Sequence, residues 1–388
     1  MNNQHVMNTY NRFDIVLDHG EGTWVYDSKG EKYLDFVSGI AVNCLGHCHP
    51  AVIQAIGEQS KKLMHVSNLY WTENMMEFAT GLAEASGLDK IFFNNSGTEA
   101  NETALKIARK YGKVKGGNEK STIIYMKESF HGRSMGALSV TGQEKYQEAF
   151  KPLIGGTCEA VFNDIESVRK VMDKNVCAVI LEPVQGESGV LPATPEFLAE
   201  VRSLCDEYDA LLIFDEVQCG MGRSGKMFAF QKLGTSPDIL TTAKAIAAGF
   251  PMGAVMANNR AADHFVPGDH GCTFGGNPLG CAIGLTVLDQ LLNKGVLQNV
   301  EDMNTYLMGK LNELKDKYDV IEDVRGIGLL IGVQFATGKK DTVAKYCKDN
   351  KLLLVGAGHE VIRFLPPLNV TIEEIDIALK IFEAAISK

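Results

Sequence analysis

The stretch Leu211–Gly225, LLIFDEVQCGMGRSG, decides the fold. Its first four residues are apolar on both faces of an extended chain, which suits a strand covered by helices above and below. The segment Asn175–Pro183, NVCAVILEP, has the same texture. Outward from these two, strand-like runs alternate with helix-like ones. DKIFFNN is followed by TEANETALKIARKYG, STIIYMK stands alone, PEFLAEVRSLCDEYD precedes LLIF, and PDILTTAK and PMGAVMAN come after it. Such alternation over roughly 200 residues specifies an α/β fold with a mostly parallel sheet.

Both ends of the chain read differently. TWVYDSKGEKYLDF, Thr23–Phe36, alternates about the turn residues Asp27–Gly30 and predicts a β-hairpin. Beyond about Gly275 a helix-like stretch to Leu292 leads into an α+β region, in which VRGIGLLIGVQF and VIRFLPPL are strand-like. The last helix opens at Thr371 with Glu374 three residues on, a capping box, and Ile375, Leu379, Phe382 and Ile386 line one face. A chain of 388 residues also exceeds a single core of about 250–300 residues. The expected organisation is an N-terminal segment, 1–49, that joins a small domain, a large domain at 50–275, and a C-terminal small domain at 276–388.

Composition excludes several classes. The balance of 38 basic and 48 acidic residues gives a net charge of −10, which does not suit nucleic acid. No apolar run approaches the ~18–20 residues of a membrane span. The first twenty residues lack an apolar signal core, and nine cysteines without a Cys-x-x-Cys pair point to reduced thiols, so a cytoplasmic location is expected. The basic run Lys106–Lys120 is expected to be a helix end and a solvated loop. Cys44, His47, Cys48 and His49 lie within six residues, but their spacing does not suit zinc, and His47 and His49 are expected to cap or buttress a helix starting near Pro50.

Ligands of open α/β sheets bind beyond the carboxyl ends of the strands. After IFFNN comes Ser96-Gly97-Thr98-Glu99, where a helix start offers free N–H groups to an anion, although an ordinary cap explains Ser96 equally well. After STIIYMK comes Phe130-His131-Gly132-Arg133, an aromatic face and a guanidinium that matches a carboxylate. Two strands end in acids, at Glu182 and at Asp215-Glu216. Each acid needs a partner, which a cationic ring nitrogen, a helix cap or a salt bridge could supply. Lys244 is the sole Lys or Arg between Leu233 and Asn259. A desolvated lysine is a nucleophile toward carbonyl compounds, while a lysine snorkelling from a strand end is the plainer alternative. Together, an anion cradle, a stacking ring, an acid and an amine are what pyridoxal 5'-phosphate requires.

With these motifs the sequence resembles the class III, fold-type I aminotransferases. LLIFDEVQCGMGRSG, with Lys244 following Asp215 by 29 residues in TTAKAIAAGFPMGAV, carries the resemblance, and GHCHP, NSGTEANETALKIAR, FHGR, EPVQGE and TFGGNP match in order. Within the class, LDFVSGIAVNCLGHCHP and HVSNLYW are similar to the enzymes acting on N-acetylornithine. Ornithine aminotransferases tend to carry a tyrosine near Ile40. Succinylornithine, N-succinyl-diaminopimelate and 4-aminobutyrate aminotransferases share the same machinery. The resemblance implies transfer of an amine to 2-oxoglutarate in a homodimer with shared active sites. It also implies roles. Lys244 holds the cofactor covalently, Asp215 meets its ring nitrogen, Gln218 its ring hydroxyl, Gly97 and Thr98 its phosphate, and Phe130 its ring face. Thr273 reaches the phosphate of the neighbouring subunit. Arg133 and Arg363 hold substrate carboxylates, and Glu187 gates Arg363. Cys272 stands where these enzymes usually show serine, and a thiol is the weaker hydrogen-bonding group there.

Overall fold

The structure is a computed structural model and describes residues 5–388. Its centre is a seven-stranded sheet. The strands are β1 (Lys90–Asn94), β2 (Thr122–Met126), β3 (Thr157–Ala160), β4 (Val176–Leu181), β5 (Leu211–Asp215), β6 (Ile239–Thr242) and β7 (Gly253–Ala257). They lie in the order β1-β7-β6-β5-β4-β2-β3, and β7 alone runs antiparallel to its neighbours.

The two-faced apolar runs have a direct consequence. All five residues of β5 are buried, and side chains alternate between the faces. Leu212 and Phe214 join one core with Leu198 and Val201 of the helix Pro195–Glu207. Leu211 and Ile213 join another with Ala104, Ile107 and Ala108 of the helix Gly97–Gly116. Each such buried side chain contributes ~1.5–3 kcal/mol. A charge at any of them would be buried without a partner. The charges therefore collect just past the strand ends, where the site lies.

The hairpin forms at Trp24–Asp27 and Lys32–Asp35, and Leu352–Leu353 pairs in parallel with its second strand. Strands Ile321–Ile327, Leu330–Phe335, Val361–Phe364 and Val355–Ala357 build an antiparallel sheet in that order. The helix Ile372–Ile386 carries the capping box at Thr371 and Glu374. Among the described residues no helix is long and apolar enough to cross a membrane.

Two expectations need correction. Lys120, at the end of the basic run, is not solvated. It is 6% exposed and donates to the carbonyls of Tyr208 and Lys174, because the chain turns there into β2, beside the starts of β4 and β5. His49 occupies the N-cap position of the helix Pro50–Gln59 but makes no side-chain capping bond, and His47 instead bonds Asp35 at 2.8 Å. Among the described residues no His, Cys, Asp and Glu group could hold a metal, and the nine cysteines are unpaired.

Candidate active site

The segments that follow β1, β2, β4, β5 and β6 converge on one cavity of about 380 Å³. Gly97, Thr98, Phe130, Arg133, Glu182, Glu187, Asp215, Gln218 and Lys244 all line it, so residues from 97 to 244 of the sequence share one site. On one side the helix Gly97–Gly116 opens beneath Ser96, whose side chain accepts from the Glu99 N–H. The N–H groups of Gly97 and Thr98 have no intrahelical acceptor and face the cavity end of the helix dipole. A Cβ on Gly97 would lie 2.7 Å from the Val217 side chain, which would have to shift.

The floor is a closed hydrogen-bond network. Asp215 ends β5 and accepts from His131 Nδ1 and Asn101 Nδ2, each at 2.7 Å, and from the Val217 N–H at 3.0 Å. Asn101 is held in turn by Thr241 at 2.9 Å and donates to the His131 carbonyl at 2.7 Å. His131 Nε2 is buried without a partner. Glu182 accepts from the N–H groups of Phe130 at 2.8 Å and Gly186 at 3.3 Å. Burial, followed by the neighbouring charge of Asp215, pushes the Glu182 carboxyl well above the usual range. Glu216, just behind, caps the helix Phe230–Leu233 through the N–H groups of Ala229 and Phe230, and burial pushes it up to about 8. Of the two adjacent acids, only Asp215 faces the cavity.

Lys244 stands over the floor. Its amine makes no hydrogen bond or ion pair among the described residues, and burial, with the Arg363 charge adding to it, holds it below the ordinary lysine range. Its φ is 45°, in the left-handed region, which costs about 1–3 kcal/mol for a residue with a side chain.

The rim joins loops of the central sheet to one residue of the C-terminal sheet. Arg363, on the strand Val361–Phe364, is 1% exposed and pairs with Glu187 at 2.7 Å. Burial favours a protonated Glu187, but the Arg363 charge and hydrogen bond outweigh it and hold the carboxyl below its usual range. Gln218 lies between them: its Oε1 accepts from Arg363 at 2.9 Å and its Nε2 donates to Glu187 at 3.3 Å. Arg133 is exposed, has no ion pair among the described residues, and lies 3.9 Å over the Tyr146 ring.

Three sequence candidates do not line this cavity: Arg363, which meets it through Glu187 and Gln218, and the pair Cys272 and Thr273. Thr273 is exposed, and the Cys272 sulfur accepts from Asn95 at 3.1 Å while its carbonyl accepts from Asn68 at 2.9 Å. Ile40 and Tyr70 are exposed as well. Asn101, Thr241, Val217 and Gly186 were not singled out in the sequence. Asn101 is two helical residues past the cradle, and only its later position facing β5 gives it a role.

The class-III aminotransferase family profile matches residues 6–386. The acetylornithine aminotransferase of Clostridium acetobutylicum is 57% identical over 387 residues, covering 100% of both chains. The ornithine aminotransferase structure from Toxoplasma gondii superposes with a TM-score of 0.95 at 32% identity, over 99% of this chain and 93% of that one. The N-acetylornithine aminotransferase structure from Stenotrophomonas maltophilia gives 0.86 at 36% identity, over 97% of each.

Proposed function

The chain belongs to the class-III aminotransferases, and from that premise we propose that it binds pyridoxal 5'-phosphate over Lys244 and moves the terminal amine of N2-acetyl-L-ornithine to 2-oxoglutarate. The products are N-acetylglutamate 5-semialdehyde and glutamate, as in arginine biosynthesis. One observation carries the cofactor reading: an unpartnered lysine amine, a strand-end acid and a bare helix start line a single cavity. The residues present suit the group. The free N–H groups at Gly97 and Thr98 suit a phosphate, Phe130 a ring face, and Asp215 a ring nitrogen. The full-length identity to acetylornithine aminotransferase supports the amine donor. The higher superposition on an ornithine enzyme reports the fold rather than the substrate.

When bound, pyridoxal phosphate supplies an aldehyde that condenses with amines and a ring that accepts the electron pair released beside them. The chain's residues do the rest. Lys244 would hold the cofactor through Nζ, and once the donor amine is bound the same Nζ, free and easily neutral, would serve as the base and acid that moves the proton at the carbon bearing the amine. Asp215, fixed by His131 and Asn101, holds a proton on the ring nitrogen. Arg133 binds the distant carboxylate of the acetylated donor. Arg363 binds the carboxylate beside the reacting carbon of 2-oxoglutarate, and Glu187 neutralises Arg363 when the donor leaves it empty, since an unpaired buried charge is costly. The two half-reactions predict ping-pong kinetics.

A second copy of the chain completes this reading. Thr273 is exposed, does not line the cavity of its own chain, and is assigned to the partner's phosphate. Leu69, Tyr70, Trp71 and Phe274 are exposed nearby and supply apolar surface for the contact. The test is to mix the yellow holoenzyme with equal concentrations of acetylornithine and ornithine. Faster bleaching of the visible band by acetylornithine is expected. Faster bleaching by ornithine would move the assignment to the ornithine enzymes, and a protein that stays colourless with added cofactor would overturn it.

A further inference from the structure

Gln218 carries more than contact with a ring. Its amide orientation is fixed by chemistry, because an arginine only donates and an ionised carboxylate only accepts. Oε1 therefore faces Arg363 Nη1 at 2.9 Å, and Nε2 faces Glu187 Oε1 at 3.3 Å. Arg363 and Glu187 meet at 2.7 Å, so the amide closes a three-membered ring with both gate residues. The approach is tight. A Cβ on Gly186 would sit 2.3 Å from Gln218 Oε1, so the residue before the gate has no room for a side chain. Gln218 is buried and the Glu187 side chain is 25% exposed, so solvent reaches Glu187 while Gln218 is enclosed. The loop bearing Gln218 is itself pinned by the bonds from the Val217 N–H to Asp215 and from the Gly220 N–H to the Glu216 carbonyl.

We propose that Gln218 is the latch of the gate, a positioning residue that holds Glu187 on Arg363 and so sets how readily the site admits a carboxylate beside the reacting carbon. The proposal rests on the reading of Arg363 as the site for that carboxylate. A dicarboxylate that enters must break the Gln218–Glu187 bond as well as displace Glu187. Removing the amide then eases opening, and the consequence is a gain in binding, which a merely structural role does not give.

The experiment is calorimetric titration of holoenzyme with glutarate, a dicarboxylate with no carbonyl to react. Gln218→Met is expected to bind glutarate about three- to tenfold more tightly than the wild type, the worth of one modest hydrogen bond. Gln218→Glu is expected to shift the other way, because its own carboxylate occupies Arg363. Equal or weaker binding by Gln218→Met, while the wild type binds saturably, overturns the latch alone. Absence of saturable glutarate binding by yellow wild-type enzyme overturns the dicarboxylate reading of Arg363, and the latch with it.

Discussion

The floor and the rim of the cavity are built on opposite principles. On the floor every oxygen of Asp215 is engaged, by His131, Asn101 and Val217, and Asn101 is itself held by Thr241. At the rim the charges hold one another. Arg363 meets Glu187 and Gln218, and Arg133 has no ionic partner among the described residues. In the proposed function the floor serves a group that stays, so its hydrogen bonds are set by the fold and need not move, and the rim receives two molecules in turn, so its partners are exchangeable. The difference predicts that floor substitutions damage both half-reactions alike and rim substitutions damage them unequally.

The largest effect belongs to the residue standing between the two regions. Lys244→Ala is expected to lower turnover by about 10⁴-fold or more, the upper range for a general acid–base group that is also the anchor. Its purified form should lack the visible band of lysine-bound cofactor, and a normal band would refute the assignment. The depressed affinity of the Lys244 amine for protons also has a direction in pH. Uptake of pyridoxal phosphate by the apoprotein needs the neutral amine, so its rate should rise with pH and level off below the ordinary lysine value of ~10.4. A rate still climbing through that value in a stopped-flow pH series would contradict it.

Next comes the floor. Asn101→Ala leaves the Thr241 hydroxyl and one Asp215 contact without a partner, at a cost of about 1–3 kcal/mol. Both half-reactions should slow by a similar factor, roughly ten- to a hundredfold, in single-turnover spectra. A loss confined to one half-reaction would remove the distinction between floor and rim. Glu187→Ala is the matching test of the rim. It should slow the acetylornithine half-reaction about tenfold, by leaving Arg363 unpaired, and change the glutamate half-reaction little. Equal effects on both would count against a gate.

How much of this was readable from the chain depends on how local each signal is. The strands of the sheet were legible because LLIF and AVIL are apolar on both faces, Asp215 because a charge directly after such a run is conspicuous, and Lys244 because it is the sole Lys or Arg between Leu233 and Asn259. Asn101 and His131 were not legible as a pair with Asp215. They stand 114 and 84 positions away from it, and only the packing of the helix Gly97–Gly116 on the sheet for Asn101, and the loop after β2 for His131, bring them to it. Lys120 looked like one more charge in a basic run until the fold turned it inward onto two carbonyls. The role of Gln218 at the rim was hidden for the same reason, since Arg363 lies 145 positions beyond it on another sheet.

The smallest expected effect is at Cys272. Its sulfur meets Asn95 rather than the cavity of its own chain, so Cys272→Ser keeps that contact with a stronger acceptor. The ratio of kcat/KM for acetylornithine over ornithine should change less than about threefold, and a larger change would place this position among those that choose the donor.

The most direct measurement is borohydride reduction of the holoenzyme followed by peptide mapping, which fixes the cofactor to whichever amine holds it. The account predicts one modified residue, Lys244, on the peptide spanning Ile239 to Met256. A cofactor found on any other lysine, or on none, would contradict it.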